Sequence, residues 1–94
     1  MTRGMTEPTV DELLTEARDI AVTDIGRARA LVQQARVLAR AGGDRAGEAE
    51  ALYRIAELSY ATGLSNEAFA IALEARDLAH EVGAPLTAVS ALNL

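Results

Sequence analysis

The sequence predicts an all-α protein, an antiparallel array of helix hairpins with two helix pairs followed by a terminal half-repeat helix. Three observations predict it. Apolar residues recur at three- and four-residue spacing along the chain, with no sustained alternation and no cluster of β-branched residues. Glycines punctuate that pattern at Gly42-Gly43, Gly63 and Gly83, where a helix can end in a left-handed residue. Half of the 94 residues are hydrophobic but only 3% are aromatic, so Ala, Leu, Val and Ile must build the core. Many small side chains suit closely packed helices. The length allows one small domain, expected over 8–94 after a flexible 1–7.

Each element has its own signals. Pro8 and Thr9 open the first helix, and Thr9-Val-Asp-Glu12 fits a capping box. Leu13, Leu14, Ala17, Ile20 and Ala21 share one face of it. Asp24 is the expected N-cap of a second helix whose stripe is Ala28, Leu31, Ala35, Leu38 and Ala39. Asp44 caps a third helix, with Ala49, Leu52, Ile55, Ala56 and Ser59 on one side. Ser65 is the expected N-cap of a fourth helix, with Leu64 stapled onto Phe69. Its stripe is Ala68, Ile71, Ala72, Ala75, Leu78, Ala79 and Val82. Pro85 stands near the start of a fifth helix. The short connections force neighbouring helices to run antiparallel.

The chain also repeats itself. A shift of 40 places Ala28 on Ala68, Leu31 on Ile71, Ala35 on Ala75, Arg36 on Arg76, Leu38 on Leu78, Ala39 on Ala79, Gly43 on Gly83 and Leu52 on Leu92. The first and third helices align at 39, with Leu13 on Leu52, Leu14 on Tyr53 and Ala17 on Ala56. The unit AEALYRIAELSYATGLSNEAFAIALEARDLAHEVGAP resembles a tetratricopeptide repeat. Leu52, Ile55, Ala56, Gly63, Ala68 and Ala75 match that pattern, whereas Ser59 and Ala72 stand where it has aromatics and His80 where it has Pro. The longer second helix and the period near 40 are similar to the extended repeats of bacterial signalling proteins, among them large transcriptional activators and some diguanylate cyclases. That resemblance runs from about Val10 to Leu94. It implies a protein-interaction fold and leaves function open.

The segment PLTAVSALNL aligns with the start of a further repeat, with Leu86, Val89, Leu92 and Leu94 on an apolar face. Repeat units bury their cores only against neighbours. Burial of three such side chains against one helix is small beside the entropy of ordering ten residues. The expectation is therefore a domain open at its C-terminal end. Either a longer array covers that end, or a second copy does, making a homodimer.

Chemistry is sparse. There is no Cys, so disulfides, thiol chemistry and Cys-based zinc sites are excluded. A net charge of −5 argues against nucleic acid or an anionic membrane as partner. The N-terminus has no apolar core of a signal peptide, and a cytoplasmic location is expected. AGGDRAG joins two helices with no strand before it, so it reads as a helix stop and not as a phosphate loop. The lone histidine, His80, lies near a helix C-terminus, where an imidazolium suits the dipole. No Glu-x-x-His pair marks a di-iron bundle. Arg27, Arg29, Arg36, Arg40 and Arg45 make the second helix region basic, with no interleaved aromatics, and pairing with the acidic third helix is expected. No catalytic residue, metal ligand or cofactor site is predicted, and the chain is not expected to be an enzyme.

One pattern stands apart. Glu50, Tyr53, Glu57 and Tyr60 are spaced 3, 4 and 3 and form one stripe on the third helix. By register with the resembled repeat, that stripe lines the concave groove where such proteins bind peptides. Tyr supplies rigid apolar area with a polar tip, and Glu supplies charge. A basic or amphipathic segment fits it better than an acidic C-terminus. The alternative is that Tyr53 or Tyr60 only packs against the neighbouring first helix. The functional expectation is a non-catalytic interaction and self-association module. Its alternative is the N-terminal regulatory domain of a larger bacterial signalling protein.

Overall fold

The structure, a computed structural model, describes residues 8–83. Four helices follow one another: α1 (Val10–Ile20), α2 (Ile25–Ala41), α3 (Arg45–Ala61) and α4 (Ser65–Val82). No strand occurs among the described residues. Each helix packs on the next, and α1 also touches α3. Connections of three or four residues make successive helices antiparallel, so α1 and α3 run in the same direction on one side of the array. The expected fifth helix from Pro85 and the self-association residues Leu86, Val89, Leu92 and Leu94 lie outside the described residues.

The helix starts follow from local chemistry. The Thr9 hydroxyl accepts from the Glu12 amide at 3.1 Å, and the Glu12 carboxylate accepts from the Thr9 amide at 2.9 Å, closing the capping box. Asp24 accepts from Arg27 N at 3.0 Å, and Asp44 from Gly47 N at 2.9 Å. The stops are equally local. Gly43, Gly63 and Gly83 have φ of 75°, 87° and 75°, the left-handed region that a Cβ disfavours. In the two inner turns the residue after the glycine donates back across the helix end, Asp44 N to Ala39 O at 2.8 Å and Leu64 N to Ser59 O at 2.9 Å. That residue then serves as the N-cap of the next helix.

This turn corrects the expected start of the fourth helix. Ala68 N donates to Leu64 O at 2.9 Å, so Leu64 is the N-cap and Ser65 the first helical residue. The N′ position then falls on Gly63, which has no side chain. The expected staple is therefore absent, and Leu64 and Phe69 are 44% and 62% exposed.

The core is thin and repetitive. Ala28, Val32, Ala35 and Ala39 of α2 are buried, and so are Ala68, Ala72, Ala75 and Ala79 of α4, position for position at a shift of 40. Leu13 and Ala17 of α1 match buried Leu52 and Ala56 of α3 at a shift of 39. The expected α2 stripe needs one correction. Val32 is buried, whereas Leu31 and Leu38 are half-buried. The helix sits between α1 and α3, so its alanine edge faces inward and the leucines pack from the flank. Ala51 joins the core for the same reason, facing the α1–α2 hairpin. Val82, expected on the α4 stripe, is 37% exposed. Ser59 is fully buried and accepts from Arg29 Nη2 at 3.0 Å, tying α2 to α3. Arg40 of the basic second helix approaches Glu48 of α3 at 3.9 Å, and Arg45 of α3 pairs with Glu81 of α4 at 3.0 Å.

The missing side-chain cap at Leu64 generates a prediction. Leu64→Asp is expected to raise stability by about 1 kcal/mol, the usual gain from an N-cap carboxylate. Urea denaturation would show it as a higher midpoint with an unchanged slope. An unchanged midpoint would mean that Leu64 does not terminate the α4 ladder.

Candidate functional site

Arg54, between the members of the predicted stripe, draws three of the four together. Arg54 Nη2 contacts Glu50 Oε2 at 3.1 Å, and Arg54 Nη1 contacts Glu57 Oε1 at 3.1 Å. Tyr53 donates its hydroxyl to Glu57 Oε2 at 2.9 Å. The guanidinium carbon stands 5.6 Å from the centre of the Tyr53 ring, within cation–π range. Glu50, Tyr53 and Glu57 are therefore drawn into one half-buried cluster with Arg54. Tyr60 is 54% exposed and outside it. Tyr53 packs against Leu52, Ala56, Ala72 and Ala75 at the α3–α4 interface, so the neighbour it leans on is the fourth helix and not the first.

Beside this cluster runs an open groove between α1 and α3. Its volume is about 600 Å³, and its walls include Asp11, Leu14, Thr15 and Arg18 from α1, and Asp44, Gly47, Glu50 and Arg54 from the start and middle of α3. Toward the far end, Arg18, Arg54, Glu57 and Leu58 line a second, smaller pocket of about 90 Å³ that shares Leu14, Arg18 and Arg54 with the groove. Of the four predicted residues, Glu50 lines the groove and Glu57 the smaller pocket, whereas Tyr53 and Tyr60 line neither.

Sequence reasoning missed the α1 wall, although a signal for it was present. At the shift of 39 that aligns the two helices, Asp11 falls on Glu50, Leu14 on Tyr53 and Arg18 on Glu57. Corresponding positions of the two repeats therefore border the groove, Asp11 with Glu50 and Thr15 with Arg54, because α1 and α3 are parallel. Arg54 reaches Glu50, Glu57 and the Tyr53 ring because spacings of 4, 3 and 1 bring all three within its range on the same helix.

Elsewhere, His80 is exposed in the last turn of α4, beside Arg76 and Asp77. Among the described residues no group of three or more His, Cys, Asp and Glu side chains is placed to hold a metal. No helix among them is long and apolar enough to cross a membrane.

The fold and this groove define an all-α helix-hairpin array with a polar cleft on the side of its odd-numbered helices. No protein-family model, curated protein or solved structure matches the chain.

The Arg54 cluster makes a prediction. Its charged groups are partly exposed, so Arg54→Met is expected to cost under about 1 kcal/mol in stability. The loss should shrink as salt rises. Thermal melts of both proteins at low and high salt would show this; a large, salt-independent loss would instead mean that Arg54 is held by packing.

Proposed function

We propose that this chain is a non-catalytic, cytoplasmic protein-interaction module that holds a basic or amphipathic segment of a partner in the α1–α3 groove. The observation that carries this reading is the groove itself, an open cleft between two parallel helices, bordered by corresponding positions of both repeats. Leu14 supplies apolar wall, and Asp11 and Asp44 supply charge that favours a cation. An amphipathic helix laid in a groove is a recurrent mode of peptide recognition. The resemblance to tetratricopeptide repeats points the same way.

Self-association is the companion proposal, through Leu86, Val89, Leu92 and Leu94. The flank of α4 favours it. On α2, the flank bearing Arg29 and Arg40 receives α3 through Ser59 and Glu48. The same flank of α4, 40 residues on, bears Phe69 and His80, and Phe69 is 62% exposed. A second copy that covers this face would form a homodimer and would suit the regulatory domain of a larger bacterial signalling protein.

Blocking the groove tests the primary reading. Thr15 is exposed on its wall. Thr15→Trp is expected to weaken binding of a labelled amphipathic helical peptide at least about tenfold, the effect of filling the central contact of an interface. Arg27→Trp, on an exposed part of α2, is expected to leave it unchanged. Fluorescence anisotropy reads both. Equal affinity in the two variants would place the peptide somewhere other than the groove.

A further inference from the structure

We propose that the groove is bipolar and selects a helical partner segment presenting a cation and a carboxylate about two turns apart. The proposal rests on the reading of the groove as a peptide site and names the chemistry of its partner.

Because α1 and α3 are parallel, their N-termini share one end of the groove. Asp11 and Asp44 stand at that end, and Arg18 and Arg54 stand toward the other. The charges differ in how far they are already satisfied. Arg54 is held between Glu50 and Glu57, which offset its charge. Arg18 forms no ion pair among the described residues, and neither does Asp11. Asp44 accepts from the Gly47 amide and forms no ion pair among those residues. Glu50 and Glu57 together leave the Arg54 cluster one charge negative, so the groove's direction rests on the charges without an ion pair: Asp11 and Asp44 at one end and Arg18 toward the other.

Asp11 and Arg18 are seven residues apart on one helix, roughly 10 Å at 1.5 Å per residue. Leu14 stands between them and contributes apolar wall. The complement is a helix carrying Lys or Arg, an apolar residue, and Glu or Asp at i, i+3 and i+7. A wholly basic segment would bring a cation to Arg18, and a wholly acidic one would bring a carboxylate to Asp11 and Asp44. Like charges facing across a contact oppose binding and so set specificity. The repeat register supports the assignment. Arg18 occupies on α1 the position that Glu57 occupies on α3, so the two helices differ in sign at this end of the stripe and agree in sign at Asp11 and Glu50.

Three labelled helical peptides of equal length test this by fluorescence anisotropy at low salt. They carry Lys-Leu-Glu, Lys-Leu-Lys or Glu-Leu-Glu at i, i+3 and i+7. The Lys-Leu-Glu peptide is expected to bind about tenfold more tightly than either control, a ratio typical of two juxtaposed charges turned from attractive to repulsive. Arg18→Glu is expected to move the preference to Lys-Leu-Lys, and Asp11→Lys to Glu-Leu-Glu. Both positions are exposed, and circular dichroism would verify the fold of each variant. Equal binding of all three peptides, abolished by Thr15→Trp, would leave the groove as a peptide site and overturn its bipolarity. A Lys-Leu-Lys preference unaffected by Arg18→Glu would overturn it too. Binding of none of the peptides to the folded protein would overturn the groove reading along with it.

Discussion

Alanine at the helix crossings is the constraint on which the rest of the molecule depends. Eleven of the sixteen buried apolar residues among those described are Ala, and Ala28, Ala35, Ala49, Ala51, Ala56, Ala75 and Ala79 have no measurable exposure. A side chain of one carbon lets helix backbones approach closely, and close-packed interiors leave no slack for a larger one. Close approach makes three-residue turns possible, and those turns work because a left-handed glycine and the following residue together close one helix and open the next. Five larger residues, Leu13, Leu14, Val32, Leu52 and Ile55, fill what the alanines leave.

The groove is a consequence of this packing. Short antiparallel connections put α1 and α3 side by side and parallel, so equivalent positions of two repeats line the same cleft. Asp11, Leu14 and Arg18 on one wall answer to Glu50, Tyr53 and Glu57 on the other helix. The second set is drawn together by Arg54, whereas the first keeps its charges open. Two repeats that match in packing and differ in charge give a surface with direction, which a uniform repeat would not have.

How much of this was legible depends on the range of the interaction. The caps at Thr9, Asp24 and Asp44 and the stops at Gly43, Gly63 and Gly83 were readable because each rests on residues within one turn. The buried set of α3 was readable in full apart from Ala51, since its apolar positions follow the helical period. Val32 was passed over for Leu31 because periodicity fixes an arc but not its centre; α1 and α3, packing from both sides, set the centre. Leu64 was misassigned because Ser65 has the better capping side chain, yet the glycine turn places the cap by backbone geometry. The α1 wall of the groove was missed because it needs two helices to be parallel and adjacent, a tertiary fact that the repeat implies only once its register is applied to every candidate stripe.

The most direct test of the central claim, that parallel α1 and α3 form a binding cleft, is amide chemical-shift mapping by NMR as an amphipathic helical peptide is added. The account predicts perturbations at Asp11, Thr15, Arg18, Glu50 and Arg54, with Gln34 and Val37 on the exposed side of α2 unmoved. Perturbations centred instead on Phe69 and His80 would contradict it and make the flank of α4 the binding surface.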